Sequence, residues 1–406
     1  MKNLILISIL LLYVKTNAQD LQSYLQEAES NNPLIQAFEL RFDIANEKVN
    51  EANWLPDTEI SGGYFLSEPE TRTGAQTARF SVRQMIPWFG TITARENYAS
   101  SLADAEYVEI TIAKRKLALS VSQSYYRLYS IRAKQRVLQD NIDLLETYEK
   151  LALTSLEVGN ASAVDVLRLQ IRQNEIAERR EVLEQDFMAE QSTFNNLLNR
   201  NENMEVKVYD SLILPIADIV ASPQELGVHP ELLKYDELYE SVEDAESLNQ
   251  KQSLPDLGFG LDYVAVTKRP NMDFSENGKD IFMPMLSLSI PIFNNRYKSI
   301  SRQNDLRQKE ITSQKTNRRN ELETMLETAV SNREAARIAY RIQLDNLKQA
   351  NDAEEILIKS YESAIINFND VLDVQELQLK FQISNIESVK NYYLQMALIN
   401  YLSNTN

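Results

Sequence analysis

Cysteine is absent from the chain, and histidine occurs once, as His229. The first absence removes disulfides, thiolate chemistry and an N-terminal lipid anchor built on cysteine. A single imidazole argues against a histidine-based metal site and against a Ser-His-Asp triad. Basic residues are in the minority, 42 Lys and Arg against 59 Asp and Glu, so the formal net charge is -17. That balance argues against nucleic acid as a partner, because phosphate binding needs clustered Lys and Arg. After the N-terminus no apolar run is long enough for a membrane-spanning helix, which needs ~20 residues. A charged fraction of 25% also excludes a bundle of membrane helices. Any membrane crossing must therefore be made by β-strands. No nucleophile–base pair, phosphate loop or metal cluster is evident, so the sequence predicts neither an enzyme nor a cofactor.

The N-terminus reads as an export signal. Lys2 supplies the positive end, Leu4 to Val14 is apolar, and Thr16-Asn17-Ala18 offers small residues for cleavage after Ala18. This divides the chain into a signal peptide (1–18), a first repeat (19–203), a linker or equatorial segment (204–228) and a second repeat (229–406).

Two stretches alternate with period two, the signature of half-buried strands. In the first hairpin, spanning 59–86, Ile60, Gly62, Tyr64 and Leu66 alternate with polar or small residues. On its return strand Ala78, Phe80, Val82 and Ile86 alternate with Arg79, Ser81 and Arg83. A polar loop is expected from Glu68 to Gln76. The second hairpin, 257–290, alternates Leu257, Phe259, Leu261, Tyr263 and Ala265 with Gly258, Gly260 and Asp262. It resumes at Met285 after a polar loop from Thr267 to Asp280. Pro284 is expected to weaken its register.

Proline and glycine are scarce where they would break helices. The chain has 11 Pro and 9 Gly, yet from Thr91 to Leu214 there is no Pro and only Gly159. After Pro291 there is neither. Both residues are expelled from helix interiors. A 4/3 apolar spacing runs through Leu128, Ile131, Leu138, Ile142 and Leu145, and again from Leu322 to Tyr361, as in coiled-coil seams. The first helix would be ~100 Å long at ~1.5 Å per residue. Gly159 and Asn160 are expected to break the first run, and residues Ser363 to Asn367 the second. Asn32-Pro33 corresponds to His229-Pro230, Leu55-Pro56 to Leu254-Pro255, and Asp165-Val166-Leu167 to Asp370-Val371-Leu372. The chain thus reads as an internal duplication with a period of about 200 residues.

Two hairpins give four strands, which cannot close a barrel, and an open edge in lipid leaves backbone groups unpaired. The chain must pool strands with copies of itself. Two copies would give eight strands and three would give twelve. Eight leave an interior filled by side chains, so a conducting function favours three.

The duplicated order of an Asn-Pro helix, Leu-Pro, hairpin, Ile86-Pro87-Trp88-Phe89-Gly90, long helix, Gly turn and Asp-Val-Leu helix resembles the TolC-type outer-membrane factors. The resemblance covers essentially the whole chain after the signal, and the Ile-Pro-Trp-Phe-Gly stretch leans toward the metal-cation efflux branch. It implies a mainly α protein with membrane β: a homotrimeric 12-stranded β-barrel continuous with a long periplasmic α-helical barrel. The implied function is an outer-membrane exit duct of a tripartite efflux system. Its partners would be a periplasmic adaptor, an inner-membrane pump and outer-membrane lipid. Two alternatives stand beside it: an exit duct for type I protein secretion, and a non-conducting coiled-coil protein spanning the periplasm.

The resemblance also implies site residues. Asp370 and Asp373, three apart on one helix face, would form stacked carboxylate rings at a periplasmic gate that concentrate cations. Asp165 and Tyr361 match positions that latch neighbouring helix pairs. Ile366 stands where a basic latch partner is expected, and Arg168 sits one turn from Asp165 as an ordinary surface pair. Val158, Gly159 and Asn160, with Ser363, Ala364 and Ile365, match the adaptor-contact tips.

Overall fold

The computed structural model describes residues 20–157, 162–218, 223–363, 366 and 368–403. The expected signal peptide and the tip residues Val158, Gly159, Asn160, Ala364 and Ile365 lie outside these. The described elements are α1 (Asp20–Asn31), α2 (Pro33–Ala52), β1 (Glu59–Tyr64), β2 (Glu70–Thr71), β3 (Gly74–Ile86), α3 (Thr91–Glu157), α4 (Ala163–Leu197), α5 (Pro230–Gln252), β4 (Asp256–Thr267), β5 (Ile281–Ser289), α6 (Arg296–Glu362) and α7 (Phe368–Leu402). A 3₁₀ segment, Pro223–Val228, precedes α5. The protein is predominantly helical with one small antiparallel sheet. Its two longest helices, α3 and α6, have 67 residues each, and α4 and α7 have 35 each.

The chain divides into two units. One comprises residues 1–37, 110–230 and 318–406. It is helical, and its cores are the seams that the 4/3 spacing marks: Leu128, Leu138 and Leu145 on α3, and Leu322, Leu326 and Ala329 on α6, are all buried. The α1–α2 break is fixed by Asn32, whose Oδ1 accepts from Leu34 N at 2.9 Å while its Nδ2 donates to Leu197 O at 2.9 Å. The extended segment after α4 has no sheet partner, so its N–H groups need other acceptors. Three tyrosine hydroxyls supply them: Tyr24 accepts from Lys207 N (3.1 Å), Tyr125 from Tyr209 N (3.0 Å) and Tyr129 from Leu212 N (3.1 Å).

The other unit comprises residues 38–109 and 231–317 and contains the sheet. The strand order is β1-β3-β4-β5, with β2 also paired to β3. Two details depart from expectation. The polar loop is shorter than residues 68–76, because Glu70 and Thr71 pair with Ala75 and Gly74 to tighten the hairpin. Pro284 does not disturb the register: it faces Leu261 in an unbroken ladder from Asp256↔Ser289 to Val264↔Ile281. It lies on β5, an outer strand of the described sheet, the position in a sheet where proline is tolerated.

Candidate lumen face and candidate gate

Register fixes what each face of the sheet presents, because residues directly opposite one another in an antiparallel ladder share a face. One face carries the rows Ile60–Val82–Leu261, Phe80–Tyr263–Phe282 and Phe259–Leu286. It is bare: Ile60 is 80% exposed, Leu286 74% and Phe282 67%. A contiguous apolar surface of this kind is rare on a monomer in water and marks an interaction face. The opposite face carries Glu59–Arg83–Gly260, Ser61–Ser81–Asp262 and Gly63–Arg79–Val264. Here Asp262 is fully buried and paired with Arg79 across the β3–β4 ladder. Removing Arg79 would leave the Asp262 charge buried and uncompensated. Among the described residues β1 and β5 each have a strand neighbour on one side only.

The candidate gate residues lie in the helical unit, around the starts of α4 and α7. Asp165 is the N3 residue of a capping box: its Oδ2 accepts from Ser162 N at 3.1 Å while Ser162 Oγ accepts from Val164 N at 3.2 Å. This satisfies donors that any helix start leaves open. Arg168 does not pair with Asp165 as the one-turn spacing suggests; it donates to Asn369 Oδ1 on α7. The reason is local, since the Asp165 carboxylate is already turned back onto its own N-cap.

Tyr361 is buried against Phe368, with ring centroids 4.9 Å apart, and Phe368 also meets Tyr148 at 5.7 Å. Ile366 packs on the same cluster, so an apolar residue there serves the core and provides no charge for a latch. Asp370 and Asp373 are both exposed, on the side of α7 away from buried Val371 and Phe368. They are not equivalent. Asp373 borders a groove between α4 and α7 shared with Arg168, Arg172, Glu175 and Glu376, whereas Asp370 stands outside it. Arg172 is 3.0 Å from Glu175 and 3.5 Å from Glu376. Ser363 follows α6 directly, with its Oγ donating to Lys359 O at 2.9 Å.

Two polar clusters escaped the sequence reading. In the bundle core, Gln375 Nε2 donates to Asn141 Oδ1 (2.7 Å) and Asn141 Nδ2 to Gln382 Oε1 (3.0 Å). One turn on, Gln378 and Tyr148 both donate to Glu354. Burial, and then the Glu354 hydrogen bond and charge, hold the Tyr148 hydroxyl far above the usual phenol range. Elsewhere Asp218 is gripped by Arg337 through Nε and Nη2, lies 3.5 Å from Arg333 Nε, and accepts from Tyr392. Burial pushes the Asp218 carboxyl up, but these hydrogen bonds and the two guanidinium charges outweigh it and leave it below the ordinary aspartate value. The available signal was Arg333 and Arg337 spaced one turn apart beside a seam position, Ala336.

Residues 24–190 match the family described as outer membrane efflux protein. No curated protein matches the chain by sequence. By structure the chain is similar to the outer membrane protein VceC from Vibrio cholerae, with TM-score 0.74 and 16% identity over 95% of this chain and 96% of that one. It is similar to the Campylobacter jejuni CmeC outer membrane channel, with TM-score 0.74 and 14% identity over 94% of this chain and 85% of that one. It is also similar to the Neisseria gonorrhoeae MtrE outer membrane channel in its open state, with TM-score 0.73 and 13% identity over 94% and 88%. The chain therefore bears the sequence signature of the outer membrane efflux protein family across residues 24–190 and has the fold of the TolC-type outer-membrane channels along nearly its whole length.

Proposed function

We propose that the protein is the outer-membrane exit duct of a tripartite efflux system, conducting passively what an inner-membrane pump and a periplasmic adaptor deliver. The observation that carries this reading is a sheet in which β1, β3, β4 and β5 lie side by side, bare and apolar on one face and bearing Arg79, Arg83 and Asp262 on the other, with both outer strands open to further pairing. In lipid such edges must be closed. Three copies close them as a twelve-stranded barrel wide enough to conduct, with the apolar face toward lipid and the Arg79–Asp262 face toward the lumen. Helices of 67 residues then supply a periplasmic barrel. The paired lengths of 67 with 67 and 35 with 35 support an origin by internal duplication. Asp370 and Asp373 would ring the gate, with Asp370 the freer charge because it stands apart from the α4–α7 groove. The tips flanking Ser363 would receive the adaptor, after export of the chain by its N-terminal signal.

The test is conductance of the purified full-length protein in a planar bilayer, beside the Asp370→Ala/Asp373→Ala double variant. Discrete channels, with the double variant conducting more and selecting cations less, support the duct. Silence in both under every voltage and salt condition rejects it and favours a non-conducting periplasmic spacer.

A further inference from the structure

We propose that Arg296, Lys298 and Arg302, with the apolar residues just before them, form a docking surface for anionic phospholipid headgroups at the helix end of the sheet. This rests on the reading that the sheet lies in the outer membrane. The chain as a whole is acidic, yet between Asp280 and Asp305 it has no acidic residue and holds these three basic ones. All three are exposed, and among the described residues none has a carboxylate partner. The next basic residues along α6 behave differently. Arg307 is 2.6 Å from Glu310, Lys309 is 2.7 Å from Asp305, and Lys315 pairs with Asp236 on α5. The helix thus neutralises its own cations beyond Asp305 and leaves those of its first two turns to an outside anion.

Packing sets the place. Asn249 on α5 donates from Nδ2 to Tyr297 O at 3.0 Å and to Ser301 Oγ at 3.1 Å. Ser301 Oγ and Asn304 Nδ2 donate in turn to Glu246 at 2.7 and 2.8 Å. Tyr297, Ser301 and Asn304, spaced i, i+4 and i+7, therefore mark the stripe of α6 that faces α5. Arg296, Lys298 and Arg302 fall outside it, and Lys298 and Arg302 share a stripe of their own. Immediately before the helix, Ile292 and Phe293 are exposed, as are Leu288 and Ile290. Phe89 is exposed at the matching place after the first hairpin. From Arg296 to Arg302 a helix rises ~9 Å. The polar layer on each side of a hydrocarbon core is about 5–8 Å thick, and long basic side chains extend their reach by snorkelling.

Charge complementarity selects the occupant. Unpaired guanidinium and ammonium groups match a phosphodiester, and basic residues near a membrane surface favour lipids of net negative charge. A zwitterionic headgroup brings its own ammonium and gains less. Free phosphate would satisfy the cations but would leave Ile292 and Phe293 uncovered, whereas acyl chains bury them as interfacial apolar and aromatic side chains are usually buried.

The test titrates the purified full-length protein in detergent with phosphatidylglycerol or with phosphatidylethanolamine of the same acyl chains, and counts bound lipid by native mass spectrometry. The wild type should hold phosphatidylglycerol at least about tenfold more tightly, and the preference should shrink as ionic strength rises. Arg296→Gln/Lys298→Gln/Arg302→Gln should lose that preference. A control triple, Arg307→Gln/Lys309→Gln/Lys315→Gln, removes the same charge from residues that already have carboxylate partners and should keep it. No preference in the wild type, an unchanged preference in the first triple, or an equal loss in the control overturns the surface. Displacement of the lipid by glycerol 3-phosphate at equal concentration marks a free-phosphate site and overturns lipid as the occupant. Bilayer conductance of the same preparations reads the duct independently. Lipid preference without channels supports the surface and rejects the duct; channels without lipid preference do the reverse.

Discussion

Replacing Asp218 with asparagine keeps its shape and removes its charge. Asp218 and Arg333 have side chains 14% and 7% exposed, and Arg337 25%. The variant therefore leaves two largely buried guanidinium groups facing a neutral amide. Breaking one side of a buried pair costs about 3–5 kcal/mol. Asparagine still offers a carbonyl to Tyr392 and Arg337, so the expected loss is lower, about 2–3 kcal/mol. The assay is thermal unfolding of the detergent-solubilised protein followed by circular dichroism, scanned at one fixed rate because unfolding of such a protein is governed by a rate. Arg337→Met and the double variant complete a cycle, and the double should lose less than the sum of the singles. The pH dependence follows from the lowered folded-state value. The Asp218 contribution is fully present above its unfolded pKa of about 3.9 and fades as pH falls through the folded one. The gap between wild type and Asp218→Asn should therefore be constant near neutrality and close below about pH 4. A variant within about 0.5 kcal/mol of wild type at pH 7 would refute the reasoning, as would a gap that widens in acid.

Phe368→Ala removes the fully buried ring between Tyr361 and Tyr148 and should lower stability by about 3–5 kcal/mol in the same unfolding assay. Asp165→Ala removes only the carboxylate half of a capping box. It should cost about 1 kcal/mol and speed amide exchange at the start of α4, whereas Asp165→Asn should largely preserve protection. Gly74 has φ of +140° and lies against Thr267 O, so Gly74→Ala should misregister the β3–β4 ladder. Heat-modifiable folded protein in outer-membrane fractions should fall sharply, while total exported protein should not.

Much of the architecture was legible because it obeys two simple periods. The alternation through Ile60–Tyr64 and Leu257–Ala265, and the 4/3 spacing through Leu128–Leu145, each say which side is apolar without saying what covers it. The expulsion of proline and glycine, with Gly159 as the break, then located α3 to within a residue or two, and alignment with that break placed the end of α6 just before Ser363. What the sequence hid were partners chosen across elements. Arg168 sits one turn from Asp165, and one-turn neighbours are the pairs that sequence spacing offers. The structure gives Asp165 to its own helix start and Arg168 to Asn369. The capping signature Ser162-x-x-Asp165 was readable and would have pointed there. The Asn141–Gln375–Gln382 layer was not, since polar residues on a seam look identical in sequence whether they face water or one another.

The proposed duct requires two further copies to close this open-edged sheet. The absence of native cysteine makes it directly measurable. Single cysteines scanned along β1 are paired with single cysteines along β5 in the full-length protein, oxidised in intact outer membranes, and the products sized by denaturing gel. One register should give a covalent species of three chains and none larger. Bands stopping at two chains, a ladder beyond three, or no cross-link at any register would contradict it.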